Sequence, residues 1–279
     1  MPTDGNTFYD VLTRAINDLV EHGFDSVQRT DFWTQQIKEA AERATKSAAQ
    51  MEQMLRDAMG MIYRRMVEKG QIVQFHKGVS RFTIERVRPA LRAELDRRIM
   101  ASANLIKLNK EQAVAKTLQR LQGWSTSLPK GGSDITDKAK IKKDIRKSLA
   151  SLPFEERRVI IDQSHKLRAS LSEILATDGG AIAARWHSNW RQINYDFRED
   201  HKERDGLVYV MRGCWALEQG LIKAGPAGYT DDITQPAEEP FCRCYFTFIY
   251  HLRSLPDDML TAKGKAALAD AKAKVAAFH

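Results

Sequence analysis

A single histidine lies among charged residues in the segment NYDFREDHKERDG, residues 194–206, and two cysteines follow about forty residues later. His201 has acidic residues on both sides, and the pair Asp205-Gly206, which begins four residues later, is a turn signal. Cys242 and Cys244 are separated by one residue in the segment FCRC. Imidazole nitrogen and thiolate sulfur are ligands that zinc accepts in proteins. These residues predict a metal site, a reactive histidine or a structural cluster, depending on how the fold places them.

The first interpretation is a zinc site made by His201, Cys242 and Cys244. On a β-strand, the C-x-C spacing would direct both sulfurs to the same face. A histidine brought next to them would complete three ligands, with Cys214 or a water molecule as the fourth. The alternative is a pair of buried thiols that pack as small apolar groups.

The second and third interpretations concern the histidine and its charged neighbours. His201 could act as a general base while Arg198 holds a phosphate, which would describe a metal-dependent nuclease or a toxin-like enzyme. The sequence has no second catalytic histidine or carboxylate pair at a recognisable spacing. In the structural interpretation, Asp196, Arg198 and His201 fix how a helix end meets a small sheet, with Arg198 bridging carboxylates. We therefore expect a protein that is not an enzyme and assign no catalytic residues.

The elements that must position these residues are mostly helices. Residues 1–122 predict a helical arm or hairpin. Its first helix begins at Asn6 or Thr7 and ends at Gly23, where glycine favours termination. A second, long helix is expected from about residue 31 to 69, and another from 82 to about 121. The stretch QIVQF between them is compatible with a short strand or a connector.

Residues 123–150 predict a linker followed by a basic helix, because Gly, Pro, Ser and Thr interrupt the pattern at 123–138. Residues 151–279 predict a C-terminal α+β domain. In this domain we expect a helix that ends at Gly179-Gly180 and a further helix over 181–200. Strands are then expected at GLVYVMRG and FCRCYFTFIYHL, with a loop over about 223–240 between them and an Ala-rich helix at the end. The predicted fold class is α+β and predominantly helical.

The charge is concentrated in one part of the chain. The formal net charge is +8, but residues 81–150 contain 17 Lys and Arg against 7 Asp and Glu, a local net charge of +10. Such an excess attracts polyanions through phosphate neutralisation, although a solvated helix surface has the same pattern. The candidate nucleic-acid contacts are Lys138, Lys140, Lys142, Lys143, Arg146 and Lys147.

Other features narrow the class of protein. No run of about 18 apolar residues predicts a transmembrane helix, so no membrane span is expected. The segment MPTDGNTFYD lacks the basic and apolar regions of a signal peptide. Three cysteines do not form an even disulfide framework, which favours a reducing compartment.

Over about residues 150–255, the order of motifs resembles a family of phage proteins. D-x-R-x-x-H stands shortly before D-G, and an aromatic strand, a Gly/Pro loop and C-R-C complete the pattern. This arrangement is similar to the Mu F-like head-morphogenesis domain of tailed bacteriophages, in a divergent form. The family usually has proline and asparagine directly before C-R-C, where this chain has Pro240-Phe241. The matching residues are Trp190, Asp196, Arg198, His201, Asp205, Gly206, Cys242, Arg243 and Cys244.

The resemblance implies a minor structural protein of the virion that acts in head assembly or in genome packaging and delivery. Its expected partners are the portal protein, the major capsid protein and possibly double-stranded DNA, with several copies in each particle. It would be made in the host cytoplasm and incorporated into the capsid. Zinc is the cofactor that the histidine and cysteines suggest.

Overall fold

A computed structural model describes residues 7–23, 26–127 and 137–277 of the chain. The chain forms two compact units, each assembled from two stretches of sequence. Unit 1 contains Met1–Leu55 and Met100–Ile160, and unit 2 contains Arg56–Ile99 and Ile161–His279. These boundaries differ from the expected division at 1–122, 123–150 and 151–279, because three helices, at 48–63, 81–127 and 138–178, each supply residues to both units.

The described residues contain eight α-helices and three β-strands. The helices are α1 Phe8–His22, α2 Val27–Ala44, α3 Ala48–Tyr63, α4 Arg81–Ser127, α5 Lys138–Asp178, α6 Glu199–Glu203, α7 Trp215–Glu218 and α8 Ala262–Ala277. The strands are β1 Ala183–His187, β2 Val208–Val210 and β3 Tyr245–Ile249. Short 3₁₀ turns lie at Gln71–Phe75, Thr230–Asp232, Leu252–Ser254 and Asp257–Met259. The predicted α+β class, predominantly helical, is confirmed.

Unit 1 begins with a well-capped helix. The Asp10 N–H donates to Thr7 Oγ1 over 3.2 Å, and the Thr7 N–H donates to Asp10 Oδ2 over 3.2 Å. This capping box satisfies two donors that would otherwise lack partners at the start of α1. Gly23 ends the helix with a φ of 80°, as predicted. Thr7 is therefore the cap, and Asn6 lies outside the described residues.

The prediction of one long helix over 31–69 is wrong, because the helix is interrupted at residues 45–47. α2 begins at Val27, after the Ser26 cap, and ends at Ala44, where Thr45 adopts an extended conformation. α3 starts at Ala48 and continues as one π-helical turn, Arg64–Glu68, before left-handed Gly70 closes it. The sequence QIVQF forms a 3₁₀ turn, so the strand alternative for it is also wrong.

The two longest helices carry prolines inside them. α4 contains Pro89 and extends to Ser127, beyond its predicted end near 121. α5 runs without interruption through Pro153, so the basic helix and the helix after it are one element. Of the predicted linker, residues 123–127 are helical and 128–136 lie outside the described residues.

Unit 1 buries one face of several helices in a common apolar core. That core contains Val11, Leu12, Ala15, Ile16, Leu19, Ile37, Ala40, Leu121, Ile141 and Ile145. Ile141 and Ile145 are one helical turn apart on α5, which leaves the lysines between them on the outer face.

Unit 2 contains a three-stranded antiparallel sheet in the order β2-β1-β3. β1 pairs Ala184 with Tyr209 on one side and with Phe248 on the other. The predicted helix over 181–200 is therefore wrong: residues 183–187 form the central strand, and most of 188–198 is irregular. Both later strands were predicted, although β3 is shorter than expected and begins just after Cys244. No helix in the described part of the chain is long and apolar enough to span a membrane.

Candidate functional site

The candidate site lies in unit 2, where the short helix α6 meets the segment that leads into β3. Arg204 and Gly206 follow α6, and Gly206 has a φ of 85°. Its N–H donates to Trp186 O over 2.9 Å, which returns the chain to the edge of β1. The turn predicted from Asp205-Gly206 is thus confirmed, and it places α6 directly beside the central strand.

His201, Cys242 and Cys244 meet in the interior. Cys242 Sγ lies 3.5 Å from His201 Nδ1, and Cys244 Sγ lies 3.6 Å from the same nitrogen. All three ligand atoms lie within 4.8 Å of one another, and all three residues are buried. The structure therefore joins the residues that the sequence pattern singled out, across about forty residues of chain. The two sulfurs come from the loop before β3, not from one face of the strand itself.

Apolar and aromatic side chains surround this group. Trp186, Tyr209, Cys242 and Cys244 form one buried cluster, with Phe246 packed against it. The Trp186 ring lies 5.2 Å from the His201 ring in an edge-to-face arrangement. His201 is 1% exposed, so its imidazole is excluded from bulk water. This environment strengthens polar interactions among the buried groups.

Polar groups lie beside both sulfurs. The Ala237 N–H donates to Cys242 Sγ over 3.4 Å, and the backbone of Cys244 also lowers the pKa of the Cys242 thiol. Ser188 Oγ lies 3.8 Å from Cys244 Sγ, and the backbone of Asn189 opposes the rise in the pKa of that thiol. Donors of this kind stabilise a negatively charged sulfur more than a neutral thiol.

The thiols affect each other's ionisation. Interaction with the Cys244 side chain, followed by backbone groups and His201, lowers the pKa of Cys242 despite burial. The same interaction and burial raise the pKa of Cys244.

The other nitrogen of the imidazole faces carboxylates. His201 Nε2 is buried without a hydrogen-bond partner in the described structure, 3.8 Å from Asp200 Oδ2 and 3.9 Å from Glu239 Oε2. Arg198 Nε lies 2.5 Å from the same Glu239 oxygen, and Arg198 Nη2 donates to Pro240 O over 3.1 Å. Arg198 thus ties the approach to α6 to the segment before Cys242. Its partners are one carboxylate and a backbone carbonyl, whereas the structural interpretation expected it to bridge carboxylates.

A second set of contacts fixes the turn after α6. Trp190 Nε1 donates to Asp205 Oδ2 over 3.1 Å, and the Ser188 N–H donates to Asp205 Oδ1 over 2.9 Å. The Ser188 bond contributes most to lowering the pKa of Asp205. Trp190 and Asp205, two of the motif residues, are therefore joined by a hydrogen bond.

Of the remaining motif residues, Arg243 makes contacts at the site and Asp196 is exposed. The Arg243 N–H donates to Tyr195 Oη over 3.0 Å, and its guanidinium lies 5.2 Å from the Tyr195 ring. Asn189 Nδ2 donates to the Arg243 carbonyl over 2.7 Å. Asp196 is exposed and is not among the groups that contact the site.

Sequence reasoning missed several residues that complete the site. Ala237 reaches Cys242 through its backbone N–H, Ser188 lies near Cys244 through its hydroxyl, and Glu239 faces the histidine. Backbone donors carry no side-chain signal, although the acidic pair before Pro240 could have indicated Glu239. Cys214, the proposed fourth ligand, is wrong, because it packs in a separate apolar cluster with Ile182 and Val210.

A cavity of about 270 Å³ adjoins the cluster within unit 2. Cys244, Asn189 and Arg243 line it together with His165 and Arg168 of α5. Burial, Arg168 and Arg243 lower the pKa of His165. Guanidinium groups at a concave surface favour anionic ligands.

The candidate nucleic-acid contacts lie on unit 1, at the first turns of α5. The residues Lys138, Lys140, Lys143, Arg146 and Lys147 are exposed, and Lys142 is half-buried. Arg146 lies over the Tyr9 ring at 5.8 Å, and a groove of about 400 Å³ is lined by Tyr9, Ala139 and four of the basic side chains. The acidic Asp144 in this stretch accepts a hydrogen bond from Trp124 Nε1 over 3.0 Å.

No known protein family, curated protein or solved structure matches this chain.

Proposed function

We propose that the chain is a minor head protein of a tailed bacteriophage, a structural component of the virion rather than an enzyme. It would associate with the portal or the inner capsid and act in head assembly or genome delivery. The observation that carries this proposal is the meeting of His201, Cys242 and Cys244 at one point. A motif whose members are far apart in sequence is meaningful only if folding joins them.

Further contacts of the motif residues support the same proposal. Arg198 bonds to the segment before the cysteines, and Trp190 holds Asp205 at the turn after α6. These interactions organise a small sheet around His201, which is buried. A binding or structural role accounts for them better than proton transfer does.

Localisation in particles tests the proposal directly. Virus particles from the cells that produce this chain should be purified on a density gradient and analysed by mass spectrometry and immunogold labelling. We expect the chain to co-sediment with the portal and capsid proteins. Its presence only in the soluble fraction, with particles that lack it, would contradict the proposal.

DNA contact in the particle would involve the basic turns of α5. Reversing the charge of Lys140, Lys142, Lys143 and Arg146 should lower the affinity for double-stranded DNA about a hundredfold and reduce its salt dependence. Reversing four lysines of α8, Lys263, Lys265, Lys272 and Lys274, changes the net charge equally and is the control. Equal losses in both variants would show that net charge, and not this surface, binds DNA.

The second candidate is a metal-dependent nuclease or toxin-like enzyme that uses His201. Its support is the cavity beside Cys244, where Arg168 and Arg243 would favour a phosphate. Against it, the imidazole nitrogen Nδ1 faces two sulfurs in a buried cluster. Cleavage of supercoiled plasmid that disappears in His201→Ala would replace the structural proposal with this one.

A further inference from the structure

We infer that His201 Nδ1, Cys242 Sγ and Cys244 Sγ bind one zinc ion that ties α6 to the chain before β3. This inference does not depend on the phage proposal, because it rests on the geometry of the site alone.

The nitrogen–sulfur separations fit a tetrahedral zinc centre. With Zn–N near 2.0–2.1 Å and Zn–S near 2.3 Å, tetrahedral geometry puts nitrogen and sulfur about 3.6 Å apart. The two distances from His201 Nδ1 are 3.5 and 3.6 Å. All three ligand atoms lie within 4.8 Å of one another, so one ion can be shared among them.

The surroundings of the sulfurs distinguish a metal centre from a pair of packed thiols. A pair of packed thiols needs no polar neighbours, whereas the Ala237 N–H donates to Cys242 Sγ over 3.4 Å and Ser188 Oγ lies 3.8 Å from Cys244 Sγ. Zinc binds cysteine as the thiolate, and polar groups of this kind stabilise that form. A divalent ion would neutralise the charge of two thiolate ligands.

The second ring nitrogen of His201, Nε2, has the surroundings that metal-bound imidazoles usually have. Ligating histidines commonly direct the second ring nitrogen toward a carboxylate, which fixes the tautomer and the ring orientation. His201 Nε2 faces Asp200 and Glu239 and is otherwise unpartnered, and Arg198 holds Glu239 in place. Metal binding at Nδ1 would place the ring proton on Nε2, toward these oxygens.

The ligand types select zinc over the other common divalent ions. Two thiolates and an imidazole are softer than the oxygen sets that bind magnesium or calcium. In the described part of the chain, no fourth His, Cys, Asp or Glu joins the group. A water molecule would complete the tetrahedron. The ion would join residues about forty positions apart and thereby stabilise the loop between them.

The metal content of the purified full-length chain, without an affinity tag, tests this inference. We expect one zinc per chain after gel filtration, and loss of that zinc in Cys242→Ser, Cys244→Ser and His201→Ala. Two matched controls lie in the same unit: Cys214→Ser removes the third cysteine, and His187→Asn removes a half-buried histidine of β1. Both control variants should retain the zinc.

A second measurement keeps the inference falsifiable if the ligand variants do not fold. Cobalt titrated into the metal-free wild-type chain should give thiolate charge-transfer absorption and the visible bands of a tetrahedral centre, saturating at one equivalent. Glu239→Gln, which leaves all three ligands in place, should weaken zinc binding about 10- to 100-fold in chelator competition.

Three results would overturn the inference. The first is a wild-type chain that holds no zinc and gives no saturable cobalt spectrum. The second is loss of the metal in the Cys214→Ser control as readily as in the ligand variants. The third is a disulfide between Cys242 and Cys244, detected by intact mass under non-reducing conditions.

Discussion

Unit 1 and unit 2 are stabilised in different ways. Unit 1 has long helices that share one apolar core, and its helix ends carry local signals such as the Thr7 capping box. Unit 2 has strands of only three to five residues, and its interior includes the buried histidines His76 and His201. Strands this short bury little surface of their own. The comparison indicates that unit 2 depends on contacts between residues far apart in sequence, which is where a metal would have the largest effect.

The largest expected effect is the loss of stability when a buried side chain is removed from the core of either unit. Trp186→Ala removes a fully buried ring that contacts His201 and Phe246, and should lower the free energy of unfolding by about 4 kcal/mol. Ile145→Ala removes an equally buried side chain from the unit 1 core and should cost about 3 kcal/mol. Denaturant unfolding measures both values.

The zinc content of the same two variants then sharpens the comparison between the two cores. The metal should be lost or weakened in Trp186→Ala, because the ring supports His201, and it should be retained in Ile145→Ala. Equal retention in both variants would show that the Trp186 ring does not support the site.

The next effect is the pH dependence of stability, which should come from unit 2. Burial lowers the pKa of His76 from 6.5 to about 4, and its Nδ1 lies 2.6 Å from Tyr250 Oη. The unfolded chain therefore binds this proton more readily than the folded chain. Stability should fall as the pH drops from about 6.5 to 4, by about 3 kcal/mol from this residue. Unfolding curves measured across this pH range provide the check.

His76→Asn removes the titrating group and should flatten much of that slope. Part of the slope should persist, because burial also lowers the pKa of His165 and His187 in the same unit. An unchanged pH profile in His76→Asn would contradict the assignment of this effect to His76.

Features encoded by neighbouring residues could be predicted from the sequence. Thr7, Asp10 and Gly23 mark the ends of α1 through local hydrogen bonds and backbone conformation. The alternating aromatic residues of β3 and the Asp205-Gly206 turn are also local patterns. The predicted meeting of His201 with the cysteines is confirmed. It followed from residue types that can share a metal, which periodicity alone could not connect.

Features decided by distant partners were missed. Residues 181–185, AIAAR, favour a helix in isolation, but pairing with β2 and β3 makes them the central strand. The break between α2 and α3 falls in a segment without Gly or Pro, but it carries a local signal that the prediction overlooked. Ser47 and Gln50 exchange hydrogen bonds in a capping box that begins α3. Pro153 suggested a helix boundary, yet α5 continues through it. The Ala237 N–H that reaches Cys242 depends on a positive φ of 66°, which alanine does not signal.

The smallest expected effect concerns the N-terminal cap of α1 in unit 1, which depends on neighbouring residues alone. Thr7→Ala removes the cap of α1 and should lower the free energy of unfolding by about 1 kcal/mol. Zinc content should not change, since the capping contacts lie within residues 7–10. Thr7→Ser keeps the hydroxyl and should restore most of the stability. If Thr7→Ser does not restore the stability, the side-chain hydrogen bond of residue 7 is not the source of that stability.

The central claim is that one metal ion joins α6 to the segment before β3, and X-ray absorption at the zinc edge tests it most directly. The account predicts two sulfur ligands at about 2.3 Å and one imidazole nitrogen at about 2.0–2.1 Å, with a light atom in the fourth position. A spectrum with only oxygen and nitrogen ligands would contradict it, because any bound zinc would then lie away from Cys242 and Cys244.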